Sequence, residues 1–215
     1  MKPWMRWSLW IILIVGAVFG VFRYFFIDFH VVPDDPNDPR SWANSPNLEP
    51  GDQVLVWRGD PHIGDLVRCP DPSDPAKWLV ARVIGTAGDR IEFVDGILRI
   101  NGFRVTTGGC QGSARKVVDP SGAEQDMICW HEELGGSKHD LQANPNGAGF
   151  PNQEWKVEQG KLFLMSDTRT QPWAHDSREP EVGQLDVESC KQRLIIRLMS
   201  KKGWGDAERR MTFLF

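Results

Sequence analysis

The N-terminal part of the chain is one long apolar segment. Residues 7–22 are apolar apart from one serine and two glycines, and the apolar pattern resumes after Arg23 over residues 24–27. Together these are about 20 residues, roughly the length that crosses a bilayer once as a helix. The segment has no polar face, which disfavours a helix packed in a globular domain. The pattern predicts a transmembrane anchor over residues 7–27.

Charged residues at the two ends of this segment predict its direction. Lys2 and Arg6 precede it, whereas four aspartates between residues 28 and 38 follow it. The positive-inside rule then places residues 1–6 in the cytoplasm and the rest of the chain on the periplasmic side of the inner membrane. A cleaved secretory signal peptide is the alternative, but it needs small residues in an A-x-A arrangement, and residues 22–29 offer none.

After the anchor the pattern changes to that of an antiparallel β protein. Residues 28–45 are rich in Pro, Asp and Asn and are interpreted as an extended linker. Residues 46–215 are interpreted as one extracytoplasmic β-domain. Short apolar or alternating runs predict strands at residues 53–57, 65–69, 78–85, 161–165 and 193–199.

The clearest local signal is a β-meander over residues 90–105. It contains the turn dipeptides Asp95-Gly96 and Asn101-Gly102, each flanked by alternating apolar residues. Type I′ turns require positive φ at both central residues, which Asp-Gly and Asn-Gly tolerate. For the same reason three Gly-Asp pairs are predicted to form tight turns, with each aspartate accepting backbone N–H bonds; they are Gly51-Asp52, Gly64-Asp65 and Gly88-Asp89.

Residues 106–153 are poor in long apolar runs and are interpreted as a polar insert with one hairpin, formed by Val117-Val118 and residues 127–130. His131 and His139 lie here among acidic side chains. This group is expected to be a solvated loop, and no metal site or other cofactor is predicted.

Composition narrows the class of partner and the compartment. The chain has 215 residues and a net charge of −4, which gives no basic surface for nucleic acid. Its four cysteines contain no CxxC and match no zinc template. Cys110 and Cys129 flank a glycine-rich part of the insert and are the preferred disulfide, while free buried thiols stay open as the alternative. A disulfide would require an oxidising compartment.

Two segments, residues 41–52 and 80–89, resemble the active-site segments of the type I signal peptidase family. The family's nucleophile segment reads Ser-x-Ser-Met-x-Pro-Thr-Leu-x-x-Gly-Asp. Here Ala43 stands at the position of the nucleophile and Asn44 at that of the methionine. The matching positions are Ser41, Pro46, Leu48, Gly51 and Asp52. The resemblance implies a mostly β, antiparallel domain of the LexA/signal peptidase type behind an N-terminal transmembrane helix.

The segment around the family's base reads Lys-Arg-Val-Ile-Gly-x-x-Gly-Asp, and here Ala81 replaces the lysine. The matching residues are Arg82, Val83, Ile84, Gly85, Gly88 and Asp89. A late motif appears as Asp167 and Arg169 followed by Asp176-Ser177-Arg178. Asp176 and Arg178 are expected to make a structural contact with Asp167 or Arg169. The serine that would orient the lysine falls at Ala174 or Pro172.

The family's chemistry needs a serine hydroxyl and a neutral lysine, and both positions are alanine. The nearest substitutes are Ser41, Ser45 and Lys77. In extended chain they lie about 7 Å or about 13 Å along the strand from the matched positions. Catalysis tolerates a misplacement of only about half an ångström.

The leading hypothesis is therefore a catalytically degenerate signal peptidase-like protein. Its expected partners are the lipid bilayer and exported or signal-peptide-bearing polypeptides, with Leu48, Val80 and Val83 as walls of a strand-binding groove. An active signal peptidase that uses Ser45 or Ser41 with Lys77 is the alternative. A structural envelope protein unrelated to peptidases would make the motifs coincidental.

Overall fold

The computed structural model describes residues 3–95, 97–110, 113–119, 121–147 and 151–214. These residues form one α-helix, α1 (Pro3–Phe26), two short 3-10 helices (Pro39–Ser41 and Val187–Cys190) and a series of short strands. The strands are β1 (Ile27–Val31), β2 (Gln53–Arg58), β3 (Leu66–Asp71), β4 (Asp74–Thr86), β5 (Arg90–Val94), β6 (Ile97–Ile100), β7 (Phe103–Arg104), β8 (Thr106–Gly109), β9 (Val117–Val118), β10 (Glu124–Gln125), β11 (Ile128–Leu134), β12 (Ser137–Ala143), β13 (Gln153–Lys156), β14 (Lys161–Met165), β15 (Leu185–Asp186), β16 (Gln192–Met199) and β17 (Thr212–Phe213).

The predicted antiparallel β architecture is confirmed. The main sheet has the order β1-β2-β16-β3-β4-β14-β15, and β17 pairs with β16. A second sheet, β13-β5-β6-β7, contains the predicted meander. Asp95 and Asn101 have φ of 52° and 54°, as the two turns require, and Gly96 lies outside the described residues. A third sheet, β12-β11-β8, and the small pair β10-β9 lie in the insert.

The N-terminal helix is present, and large apolar side chains over residues 10–26 are exposed. Only its last turn meets the β-domain, where Phe22 and Phe26 lie 6.0 and 5.7 Å from the ring of Trp57. The predicted anchor included Ile27, but this residue begins β1. Among the residues that the structure describes, no helix combines the length and the apolar character needed to cross a membrane.

The predicted linker over residues 28–45 is instead folded onto the main sheet, and this corrects the sequence interpretation. β1 pairs with β2 along its whole length. The Ser41 hydroxyl donates a hydrogen bond to the Asp35 carbonyl at 2.7 Å and accepts one from the Asp35 amide at 3.2 Å. Aspartate and proline are compatible with this ordered segment, because side-chain hydrogen bonds and turns satisfy its backbone N–H and C=O groups.

The insert contains more hairpin structure than the one hairpin predicted, and its histidine and acidic group lies on strands rather than in a solvated loop. β11 pairs with β12 over residues 128–143, and β8 joins the other side of β11. Glu132 and His139 are buried. The reason is electrostatic: Glu132 receives a 2.8 Å hydrogen bond from Arg169, so a buried ion pair occupies a place where the sequence offers no apolar run.

Two disulfides tie the fold together. Cys110 is bonded to Cys129, which is the predicted pair. Cys69 is bonded to Cys190, a pair that the sequence reasoning did not single out, and it lies in the apolar cluster between β3, β4 and the second 3-10 helix. All four cysteines lie in the described part of the chain and are bonded in these two disulfides, so none of them is free.

The three Gly-Asp turns form as predicted. Gly51, Gly64 and Gly88 have φ of 80°, 93° and 94°. In each turn the aspartate carboxylate accepts the backbone N–H of the residue three positions earlier, at 2.9 Å for Asp52, 2.8 Å for Asp65 and 2.8 Å for Asp89. These turns set where β2, β3 and β5 begin.

Candidate functional site

Three segments that are distant in sequence meet at the matched motifs. The side-chain amide of Asn44 donates a 2.6 Å hydrogen bond to the Val80 carbonyl on β4. The Thr168 amide donates a 2.8 Å hydrogen bond to the Ala43 carbonyl, and the Thr168 hydroxyl donates one of 2.7 Å to Trp42. The residue that follows Val80 is Ala81, so these bonds hold the first motif against both the second and the late motif.

The three positions of interest carry methyl groups only, and all three are buried. Ala43, Ala81 and Ala174 are 1%, 0% and 1% exposed. Ala81 belongs to the same apolar cluster as Val67 and Leu79. Neither a hydroxyl nor an amine is available from these side chains, and a polypeptide cannot reach them without local rearrangement.

In the described structure no hydrogen bond joins Lys77 to Ser41 or Ser45, the possible substitutes. The Ser41 hydroxyl is engaged with the backbone of residue 35, as described above. Ser45 is fully buried, and its hydroxyl has no hydrogen-bond partner among the described residues. The Lys77 side chain is 52% exposed, and its amine lies 3.6 Å from Asp38 and 3.5 Å from Asp74. A lysine that serves as a base is instead desolvated among apolar groups.

The predicted groove walls separate into two clusters. Leu48 and Val80 belong to one apolar cluster, whereas Val83 lies in another, together with Ala81. A narrow cavity of about 10 Å³ lies beside Leu48 and Val80. It is also lined by His30, Val32, Pro33, Arg40, Ser41, Asn44 and Trp78. A space of about 10 Å³ is too small to receive an incoming side chain in this conformation.

Part of β4 has an open edge beside this cavity. β4 pairs with β3 from Asp74 to Arg82, but it pairs with β14 only over residues 82–86. Within the described chain, the edge of residues 78–80 that faces away from β3 therefore has no neighbouring strand. Trp78 is 37% exposed at this edge, and the Arg68 guanidinium lies 4.4 Å from its ring centre.

A charged network that the sequence reasoning missed joins the flanks of the site. Asp71 is fully buried and accepts hydrogen bonds from Arg40 at 2.9 Å and from His175 at 2.8 Å. His175 also contacts Glu179 at 3.0 Å. Burial alone would lower the pKa of His175, but the hydrogen bonds with Glu179 and Asp71 outweigh it and raise this pKa above its ordinary value. Because His175 follows Ala174, the network fastens the late motif to the β3–β4 hairpin.

Buried ion pairs hold the late motif. Asp176 pairs with Arg178 at 2.7 Å, and the Arg178 guanidinium also donates a 3.5 Å hydrogen bond to the Arg169 carbonyl, which is one of the predicted contacts. The carboxylate of Asp167 binds Arg82 of β4 at 2.8 Å, while Arg169 binds Glu132 of β11. Burial by itself would raise the pKa of Asp167, but Arg82 outweighs it and keeps this pKa below its ordinary value.

Comparison with known proteins identifies this arrangement. A model of the signal peptidase family (peptidase S26) matches residues 4–199, which is most of the chain. The chain belongs to this family. Signal peptidase I of Pseudomonas fluorescens is 29% identical over 179 residues, and that of Pseudomonas aeruginosa is 26% identical over 176. Each alignment covers 73% of this chain and 56% of the relative, so the chain spans about half the length of these curated relatives.

Among solved structures, a signal peptidase I from Enterococcus faecalis V583 matches with 19% identity and a TM-score of 0.38. The match covers 64% of this chain and 98% of the other. This likeness is too low for any detail to be transferred. The structure of this chain itself places both Ala43 and Ala81 in the interior.

Proposed function

We propose that this protein is a membrane-attached, proteolytically inactive relative of signal peptidase I, which binds exported or leader polypeptides at the outer face of the cytoplasmic membrane. The observation that carries the proposal is the chemistry of three positions. In the matched motifs Ala43 and Ala81 stand at the places of the family's nucleophile and base, and the orienting serine falls at Ala174 or Pro172; the three alanines are buried. Acyl transfer by a serine peptidase needs a nucleophile within hydrogen-bond reach of its base.

The open edge of β4 supports polypeptide binding. An extended peptide can add to an exposed strand edge through main-chain hydrogen bonds, while its side chains occupy neighbouring pockets. Residues 78–80 offer such an edge, and Trp78 supplies an exposed aromatic surface there. In the present conformation the Asn44 amide occupies the Val80 carbonyl, so an incoming strand would displace this side chain.

Membrane attachment is supported by helix α1. Its exposed apolar side chains over residues 10–26 have no protein surface to cover them in the described chain, except near Trp57. The two disulfides support an extracytoplasmic position of the β-domain, because such bonds persist in oxidising compartments.

A cleavage assay tests the loss of proteolysis. The full chain in detergent is incubated with a panel of preproteins, and the products are analysed by mass spectrometry. We expect no cleavage at leader junctions by the wild type. Cleavage that disappears in Ser45→Ala, Ser41→Ala or Lys77→Ala would contradict the proposal and establish the displaced catalytic pair instead.

A binding assay tests the second part. Anisotropy of a fluorescent leader peptide is measured with wild type, Trp78→Ala and Trp204→Ala. The control is matched, because Trp204 is 57% exposed and also lies under an arginine, Arg210 at 5.5 Å. Loss of an aromatic anchor typically weakens binding by 2 kcal/mol or more, so we expect Trp78→Ala to raise the dissociation constant roughly 30-fold. Equal affinities of all three proteins would refute binding at this edge.

A further inference from the structure

A second open space lies between the meander sheet and the insert sheet, and none of the three alanines lines it. This inter-sheet pocket has a volume of about 290 Å³. Its apolar walls include Phe93 and Leu98 from the meander and Trp130, Leu141 and Ala143 from the insert. Protein interiors rarely leave apolar space of this size unfilled. The volume is at the lower end of the range of about 300–1,000 Å³ that small-molecule sites occupy.

The strand pattern explains why the space is apolar on both sides. Side chains alternate across a strand, so residues two apart share a face. Trp130 pairs with Leu141 in the register of β11 and β12, and both line the pocket. Phe93 pairs with Leu98 in the register of β5 and β6, and these line the opposite wall. The two sheets thus present apolar faces to each other without closing the gap.

Positive charge predominates among the polar lining groups. Arg169 and Glu132 line the pocket and are bonded to each other, so their charges largely cancel. The Nε of Arg169 is buried and lacks a hydrogen-bond partner within the described structure. Arg104 also lines the pocket, is exposed, and makes no ion pair with any described residue. The guanidinium group of an arginine binds a carboxylate through two parallel hydrogen bonds.

We propose that the inter-sheet pocket binds an apolar chain that ends in a carboxylate, with the chain between the two sheets and the carboxylate on Arg104. Two sources have this chemistry, a free fatty acid and the C-terminus of an apolar peptide. The inference does not depend on the proposed function, because none of the pocket residues belongs to the β4 edge or to the three alanine positions.

Calorimetric titration of the full chain in detergent with butanoate, hexanoate and octanoate tests the proposal. Each buried methylene contributes about 0.8 kcal/mol, so the affinity should rise about fourfold per methylene. Thr107 lines the pocket, and Thr107→Trp should fill it and weaken hexanoate binding at least tenfold. The matched control is Thr106→Trp, because Thr106 is exposed on the opposite face of β8. Because Thr106→Trp is titrated in the same detergent, it also corrects for partition of the acids into the micelles.

Arg104→Gln separates the charge from the apolar contact, and the fold tolerates it because Arg104 is exposed on the edge strand β7. It should weaken hexanoate at least tenfold and leave hexanol unchanged. Equal hexanoate binding by wild type, Thr107→Trp and Thr106→Trp overturns the site. Equal binding of hexanol and hexanoate overturns the role of Arg104.

A separate titration distinguishes the two sources of the carboxylate. An acetylated leucine dipeptide is compared as acid and amide. Tighter binding of its acid than of octanoate assigns the peptide source, and the reverse assigns the fatty acid.

Discussion

Single residues of this protein respond to pH in opposite directions. Burial, with a smaller contribution from the positive charge of Arg68, lowers the pKa of His30 from 6.5 to about 4. The pKa of His175 is instead raised by its two carboxylate partners. The folded protein therefore favours the neutral form of His30 and the charged form of His175.

The His30 shift predicts a loss of stability in mild acid. Below pH 6.5 the imidazole of His30 is protonated in the unfolded chain, whereas in the folded chain it stays neutral until about pH 4. The free energy of unfolding should therefore fall by about 2 kcal/mol between pH 8 and pH 5 from this residue alone. Urea denaturation of wild type and His30→Gln at both pH values measures it. If the difference between the two proteins does not change with pH, the prediction is wrong.

The His175 shift has the opposite sign. Its contribution to stability is complete below the unfolded pKa of about 6.5 and is lost as the pH rises through the higher folded pKa. An NMR titration of the ring should give a pKa above 6.5, and Glu179→Gln should lower it, because this change removes one of the two carboxylates. Glu181→Gln is the control, as Glu181 is exposed and has no part in the network. A ring pKa at or below 6.5 in wild type would count against the network.

The sequence predicted the residues of the motifs better than their partners. Gly51, Gly64 and Gly88 adopt positive φ because their Gly-Asp pairs encode a local turn. The network of Arg40, Asp71 and His175 could not be predicted, since its hydrogen-bonded pairs lie up to 104 positions apart and no local pattern marks them. A signal did exist in Asp71 and Asp74, two aspartates between the predicted strands at residues 65–69 and 78–85, but it does not specify which cations they contact.

At the scale of strands, the two disulfides differ in burial and in the loop that they close. Cys69 and Cys190 are fully buried and 121 residues apart, whereas Cys110 and Cys129 are partly exposed and 19 residues apart. Mild reduction followed by alkylation and mass spectrometry should therefore label the second pair first. Loop-closure entropy predicts that removal of the first pair by double alanine substitution costs about 5 kcal/mol, against about 3 kcal/mol for the second.

Urea denaturation of the two double variants measures this order. Each is compared with the corresponding serine variant, which preserves the size of the side chain and tests whether packing rather than cross-linking is lost. Labelling of Cys69 before Cys110, or a larger loss from the shorter loop, would contradict the prediction.

Strands with a local signal were predicted, and strands that depend on a distant partner were not. The meander follows from Asp95-Gly96 and Asn101-Gly102, whose turn chemistry is contained in a few residues. The Pro and Asp residues around β1 predict a linker there, and only its ladder with β2 makes it a strand. The insert hairpin β11–β12 goes beyond the single predicted hairpin, because its buried Glu132 pairs with Arg169, 37 positions away, and no local pattern marks that partner.

On the scale of the whole molecule, the proposed orientation follows from charge at the two ends of α1. Lys2 precedes the helix, Arg6 lies near its N-terminal end, and Asp28 follows its C-terminal end. Positive residues are retained on the cytoplasmic side of an inserted helix. The β-domain would then lie outside, where Cys69–Cys190 and Cys110–Cys129 can form and where exported polypeptides emerge.

Protease added to intact spheroplasts tests this orientation. We expect the β-domain of the wild type to be digested without permeabilisation, while a cytoplasmic marker stays intact. Lys2→Glu combined with Arg6→Glu removes the retained charges, so a larger fraction of the β-domain should become protected from the protease. Lys201→Glu combined with Lys202→Glu is the control, since it changes the net charge equally but at positions far from the helix in sequence. Protection of the wild-type β-domain in intact spheroplasts would place it on the cytoplasmic side, and binding of exported polypeptides at the β4 edge would then lose its compartment.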